Sequence, residues 1–339
     1  PAIIRVRAMK PVEKEDSTRL GSHRGFSPVR SQDTWNSGAI IFYHRVTDMA
    51  ADRYGLSVHP DDFRSHMEHL REEYTPIGLN DFVRAAEQGS LPPDAVAVTF
   101  DDGYIDNLTT ASPILQEFDI PATFFIPTEQ LDREHESWWD ILDRIFQHDQ
   151  DIPTECDVYG DKEWILPTES REQQALAHQK IFETIYAMGA KERDQMMARL
   201  CNWSTLDLAP RQTHRHMITT EVQQLESIPG HSIGCHTIHH LSLPNHDVDT
   251  QLLEIVTSRK ELEHALGKPV TTFSYPYGEY DKETLQLLRT TSFDAGVTVE
   301  GRTVCFGAEK LLLPRFEMKG YNRKEFSVFM GQVFNKAGY

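Results

Sequence analysis

Ala95-Val96-Ala97-Val98-Thr99-Phe100-Asp101-Asp102-Gly103-Tyr104 carries the reading of this chain. Its first six residues are apolar and rich in β-branched side chains, the composition of a short buried strand. The strand then ends on two adjacent carboxylates and a glycine. Ionised carboxylates at the mouth of an apolar strand repel each other and are costly to desolvate. Such a pair persists where a cation holds one carboxylate and leaves the other free to act as a base. An Asp-Gly turn built from ordinary turn formers is the competing explanation of the same letters. A second site further along decides between them.

Outward from this stretch, short apolar runs alternate with amphipathic ones from Gly38 onward. Strands are predicted at Ala39–Tyr43, Ala95–Phe100, Ala122–Ile126, Ser232–Cys235, Val270–Ser274, Ala295–Val299 and Leu311–Pro314. Helices are predicted at Pro60–Tyr74, Leu79–Gln88, Tyr104–Glu117, Val248–Leu266, Lys282–Thr290 and Arg323–Phe334. In the helix from Val248, residues Leu252, Leu253, Val256 and Leu262 form the expected apolar stripe. The alternation is that of an α/β fold with a parallel sheet or barrel, whose reactive groups sit at strand carboxyl ends. Asp101 and Asp102 fall there. Residues 130–220 break the rhythm, being polar and mostly helical (Arg171–Met188, Lys191–Leu200). Near their start stands Ser137-Trp138-Trp139-Asp140, whose tryptophans either stack on a sugar or form the region's own core. The expected organisation is a basic N-terminal arm at 1–37, a discontinuous barrel at 38–129 and 221–339, and a helical insertion at 130–220.

The second site is His236-Thr237-Ile238-His239-His240, directly after the strand Ser232–Cys235. Two histidines four apart can face one metal across a helical turn or tight loop. With 16 histidines in the chain, such a pair arises by chance about as often as not, so location carries the weight. This pair too lies just past a strand end. His236, His240 and one of the two aspartates make two imidazoles plus a carboxylate, a set that leaves an open position for water as in hydrolytic metal sites. A pair of hydrogen-bonded surface histidines is the alternative.

Together the two motifs resemble those of the polysaccharide deacetylases, carbohydrate esterase family 4, with the NodB-homology fold. Thr99-Phe100-Asp101-Asp102-Gly103-Tyr104 matches the family's first motif and His236 to His240 its second, H-[ST]-x-x-H. Further likeness lies in Phe42-Tyr43-His44-Arg45-Val46, in Asn107 with Pro113-Ile114-Leu115, and in Ile120-Pro121-Ala122-Thr123-Phe124-Phe125. Phe273-Ser274-Tyr275-Pro276-Tyr277-Gly278 is similar to the third motif. The resemblance spans roughly residues 38–128 and 219–316, in the family's order. It implies a distorted (β/α) barrel, with Asp101 as catalytic base and Asp102, His236 and His240 as ligands of a divalent metal. Zinc is the first choice, and cobalt, nickel and manganese suit the same donors. It also implies that Tyr277, Tyr104 and Pro276 line the substrate and oxyanion side, a backbone N–H near Tyr277 helping to hold the oxyanion. His239 is left out of the ligand set, and Asn107 is read as tying the loop after Asp102.

Two departures mark a divergent branch. Ser274 stands where the third motif carries an arginine that orients the base, and serine supplies neither the charge nor the fork. The fifth motif's histidine, often the general acid, is not visible; Leu311-Leu312-Leu313-Pro314-Arg315-Phe316 stands there instead. Arg315 cannot donate a proton at useful pH, but from a strand end it can replace the missing charge beside Asp101. On that hypothesis its removal cuts turnover far more than stability. His44, at the end of the first strand, is the other candidate for the pocket, as acid, substrate contact or hydrogen-bonded support.

The bulk numbers bound the partners. The chain has 339 residues and a formal charge of −18, which argues against nucleic acid. Cys156, Cys201, Cys235 and Cys305 are widely spaced, the pattern of free thiols in a reducing compartment. Residues 1–30 hold seven cations against three acids, a solvated arm able to touch a membrane surface. No signal-like apolar stretch opens the sequence, so the expectation is a cytoplasmic protein working at the inner membrane face. The leading function is removal of an N-acetyl group from an amino sugar of a glycan or lipid-linked glycan precursor. The rivals are a ring-opening cyclic amide hydrolase of the same fold and a catalytically silent carbohydrate-binding relative.

Overall fold

Runs such as Ala39-Ile40-Ile41-Phe42-Tyr43 are apolar on both sides of the backbone, and such strands are stable only when both sheet faces are covered. In the computed structural model, which describes residues 36–49, 51–133, 135–147, 151–157 and 165–335, they build one parallel sheet. Its strands in chain order are β1 (Ala39–Tyr43), β2 (Thr75–Pro76), β3 (Ala95–Phe100), β4 (Ala122–Ile126), β5 (His231–Cys235), β6 (Thr272–Ser274), β7 (Ala295–Val297) and β8 (Phe316–Glu317). The spatial order is β7-β6-β5-β4-β3-β1-β8, with β2 on the start of β3. Every residue of β1 and β3 is buried, and Ile41 faces Val98 in register. This is the distorted α/β barrel expected. The arm at 1–37 lies almost wholly outside the described residues.

One run of chain closes the ring. Val297 of β7 bridges Leu313 in parallel, and three residues later Phe316 pairs with Ile41 of β1. The last strand therefore lies at Phe316–Glu317 rather than at Leu311–Pro314. Pro314 has no N–H to give a ladder, so pairing pauses there and resumes beyond it. Arg315 sits in the pause. The seam is tight: Gly296 N–H donates to Lys310 O at 2.9 Å, Leu313 N–H donates to Gly296 O at 2.8 Å, and a Cβ on Gly296 would stand 2.4 Å from the Leu311 carbonyl oxygen.

Two helices differ from expectation for identifiable reasons. The segment expected as helix from Tyr104 begins as a π turn at Asn107–Ala111 and becomes α-helical only at Ser112–Glu117. Pro113 brings no N–H to the ladder, and Ser112 N–H reaches back five residues to Asn107 O. The helix Val248–Leu266 has its expected bounds but turns a different face inward. Leu252 and Leu253 are exposed while Gln251, Glu254, Ile255, Ser258 and Leu262 are buried. Polar partners decide that rotation: Thr284 Oγ1 donates to Gln251, and Glu254 accepts the N–H groups of Ile238 and His239.

Within residues 130–220, the helices Trp138–Ile145, Arg171–Tyr186 and Ala190–Ser204 share an apolar cluster separate from the barrel's. Trp138 and Trp139 belong to it, each 7% exposed. A helix at Thr219–Glu226, not anticipated, leads back into β5. Among the described residues no helix is long and apolar enough to cross a membrane.

Gly296→Ala tests the seam. Overpacking against a backbone carbonyl that cannot rotate away costs about 1–3 kcal/mol, read as a lower denaturation midpoint. A midpoint equal to wild type would show that the seam has slack.

Candidate active site

The parallel strands all present their carboxyl ends to one side, and the chemistry-bearing residues follow them there. Asp101 and Asp102 follow β3, His236 follows β5, Ser274 ends β6 and His44 follows β1. The ligand atoms of Asp102, His236 and His240 all lie within 4.8 Å of one another, and all three residues are buried. His236 Nε2 stands 3.4 Å and His240 Nε2 3.3 Å from Asp102 Oδ1. His236 Nδ1–H donates to the Ser274 carbonyl at 2.7 Å, which leaves the Nε2 lone pair facing the carboxylate. Yet Asp102 Oδ1 and His236 Nε2 are buried with no hydrogen-bond partner. Convergent, buried and unanswered, these donors fit a divalent cation. Burial by itself would raise the Asp102 carboxyl; hydrogen bonds and charge from His236 and His240 in their protonated forms outweigh it and hold it well below the usual carboxylate range, a place a cation would take over.

His239 turns away, as expected: its Nδ1 lies 2.6 Å from Glu254. His240 is held by its surroundings instead. Its ring stands between Trp139, centroid to centroid 5.0 Å, and Tyr277 at 4.5 Å. Asp102 (φ 71°), Thr237 (φ 65°), His240 (φ 53°) and Tyr277 (φ 58°) all have left-handed backbones. Each such residue costs about 1–3 kcal/mol and persists only where its neighbours dictate it. Four of the eight such non-glycine residues among the described ones gather at this site.

Asp101 has a different partner. Arg315, fully buried, grips it with two bonds, Nη1 to Oδ1 at 2.8 Å and Nη2 to Oδ2 at 2.6 Å. Ser274 Oγ donates to Oδ2 at 3.2 Å. Ser274 and Arg315 thus reach Asp101 from different strand ends, and Arg315 Nη2 also donates to Ser274 Oγ at 3.0 Å. Burial pushes Asp101 up, and the Arg315 charge and hydrogen bonds more than reverse it, so its carboxyl lies below the ordinary value. A carboxylate offers about four lone-pair positions, and these contacts occupy one on Oδ1 and two on Oδ2. The remaining one is on Oδ1. Because Arg315 is buried against a buried carboxylate, removing it also leaves an unpaired charge, so its loss is expected to cost stability as well as turnover.

The other singled-out residues divide. His44 is half-buried directly after β1, edge-on to Phe42 at 5.4 Å, and near enough that a charge on it would lower both Asp101 and Asp102. Asn107 Nδ2 donates to the His44 carbonyl at 2.8 Å, tying that strand end to the loop after Asp102. Pro276 is buried in the turn that carries Tyr277. Tyr104 is fully buried; its hydroxyl donates to Asp140 at 2.7 Å and accepts from Trp139 Nε1 at 2.8 Å. Its polar atom is therefore committed within the protein.

Sequence reasoning missed His216, in a stretch without pattern. Its Nδ1–H donates to the Asp102 carbonyl at 2.7 Å, and its Nε2 accepts from Ser137 Oγ at 2.6 Å. Burial lowers it to about 4, so it is neutral at neutral pH. A cavity of about 210 Å3 opens beside His240, lined among others by Glu129, Trp138, Trp139, Arg193 and His239.

Comparison with known proteins agrees with this geometry. The family model described as polysaccharide deacetylase matches residues 88–191 and 174–296, together more than half of the chain. YxkH of Bacillus subtilis (strain 168) is 22% identical over 263 residues, 77% of this chain and 64% of that one. The poly-beta-1,6-N-acetyl-D-glucosamine N-deacetylase of Escherichia coli (strain K12) is 40% identical over 92 residues, 26% of this chain and 14% of that enzyme. The chain thus spans less than two thirds of the length of either relative. Among solved structures, the Streptococcus pyogenes deacetylase PplD in complex with acetate superposes with a TM-score of 0.59 at 20% identity, covering 88% of this chain and 99% of that one. IcaB from Ammonifex degensii gives 0.58 at 16% identity, covering 88% and 97%. These two share the fold. With the motif residues gathered at the strand ends and the family model matched across the barrel, this chain belongs to the polysaccharide deacetylase family.

Proposed function

We propose that the chain is a metal-dependent hydrolase that removes the N-acetyl group from an amino sugar of a polysaccharide, oligosaccharide or glycan precursor. One observation carries the reading: a buried Asp-His-His cluster stands beside a second carboxylate that an arginine holds ionised. The E. coli relative's name, an N-acetylglucosamine polymer deacetylase, supports the substrate class. The intact ligand set argues against a silent binding relative or a metal-free cyclic amide hydrolase.

Asp102, His236 and His240 would hold the cation, with zinc the best match to two imidazoles and a carboxylate. When bound, a divalent ion supplies Lewis acidity toward the acetamide carbonyl. The chain's own residues do the rest. Asp101 takes the proton of the attacking water on Oδ1, the oxygen with a free lone pair. Arg315 and Ser274 fix the other positions of that carboxylate, so its free lone pair has one direction. His44, reaching the same pocket from β1, returns a proton to the leaving amine. Tyr277 and Pro276 bound the acyl side, where a backbone N–H steadies the developing oxyanion. Tyr104 instead holds Trp139 and Asp140 in place, and residues 130–220 act as an insertion whose cavity beside His240 receives the neighbouring part of the glycan.

Four measurements test this. Dialysis against a chelator should abolish acetate release from N-acetylated glucosamine oligomers, and added zinc or cobalt should restore it; full activity in metal-free protein would end the proposal. Asp101→Asn should keep its metal while kcat falls about 10²–10⁴-fold. Arg315→Lys retains a charge but loses the fork. With the opposing influence of burial less well countered, Asp101 then protonates at higher pH, so the acid limb of kcat/KM should move upward. Arg315→Ala should in addition lose about 3–5 kcal/mol of stability.

A further inference from the structure

Asp102 is held by groups that the barrel does not supply. The segment Arg215–Met217 lies antiparallel along the residues after Asp102: Tyr104 bridges His216, Met217 N–H donates to Gly103 O at 2.9 Å, and Ile105 N–H to Arg215 O at 3.0 Å. Between these bonds the His216 ring reaches the Asp102 carbonyl itself, 2.7 Å away. That carbonyl can only accept, so Nδ1 carries the proton and Nε2 must accept. Ser137 Oγ provides that proton at 2.6 Å. The ring is stacked on Tyr104 at 4.6 Å and 25°, which removes its freedom to rotate. His216 is 1% exposed and Ser137 2%, so water does not compete for either bond.

Ser137 is the N-cap residue of the helix Trp138–Ile145, and the second residue of that helix, Trp139, packs against His240. The same helix start thereby touches two of the three clustered residues, one through a histidine and one directly. Neither bond partner is needed for the barrel's hydrogen-bond ladder.

We propose that His216, oriented by Ser137, is a positioning residue that fixes the left-handed backbone of Asp102 and so sets the affinity of the Asp102-His236-His240 cluster for its cation. This rests on the metal-site reading above. Residues 130–220 then contribute to the metal centre itself, beyond any wall they give the substrate.

The experiment uses the full chain and cobalt(II) or zinc(II) as probe. Affinity is measured by competition with a chromophoric chelator, and geometry by the visible absorption spectrum of the cobalt form. His216→Phe keeps a stacking ring and loses both hydrogen bonds. Metal affinity should fall about 10–100-fold, with an altered cobalt spectrum. His216→Asn places an Nδ2–H donor where Nδ1–H stood and should recover most of the loss. Ser137→Ala removes only the donor to Nε2 and should give a smaller loss in the same direction, which keeps the test open if His216→Phe does not fold. Wild-type affinity and spectrum in His216→Phe, or equal losses in His216→Phe and His216→Asn, would overturn the positioning role. Wild-type protein that takes up no metal would instead overturn the reading beneath it.

Discussion

A guanidinium buried out of reach of water is tolerable only if each of its five N–H donors finds an acceptor. Arg315 meets that condition: Nε bonds Thr298 O, Nη1 bonds Thr99 Oγ1 and Asp101 Oδ1, and Nη2 bonds Asp101 Oδ2 and Ser274 Oγ. Its plane also lies over the Phe42 ring at 4.3 Å. Those partners come from β1, β3, β6 and the residue after β7, so one side chain stitches together strand ends from both edges of the sheet. The barrel's closure and the state of Asp101 are thus the same interaction. Were the seam between β7 and β8 to open, the arginine would lose its acceptors and the aspartate its charge partner together.

The second carboxylate obeys the opposite logic. Asp101 is satisfied by the protein; Asp102 Oδ1 is not. Two adjacent side chains of identical chemistry, buried to the same degree, are separated by what faces them: an arginine built into the fold on one side, the Nε2 atoms of two histidines on the other. That difference lets a pair of like charges share a strand end, and it divides the labour that a hydrolytic site needs. The strained backbones at Asp102, His240 and Tyr277 are held by contacts from residues 130–220, among them Trp139, Tyr186 and the Ser137–His216 pair.

Much of the scaffold was legible because its signals are local. Apolar runs of five or six residues named β1, β3 and β4 to the residue, since a strand covered on both faces has no polar position to blur it. Elements that rest on distant partners were harder. The inward face of Val248–Leu266 is chosen by hydrogen bonds that Gln251 and Glu254 accept, against the apolar stripe that hydropathy favours. The final strand is displaced by a proline whose effect depends on which neighbour it meets. His216 carries no motif at all, because its role depends on standing beside a carbonyl 114 residues earlier.

By itself the amino-acid order determined the parallel α/β class, the carboxylate pair at a strand mouth and the spacing of the two histidines, all properties of a few consecutive residues. Only the tertiary structure decided which aspartate meets the arginine and which meets the imidazoles. It also decided that a serine and an arginine 41 residues apart share one carboxylate. Those outcomes are set by distances between segments that meet only when the sheet closes, and no local pattern of residues encodes a distance across a barrel.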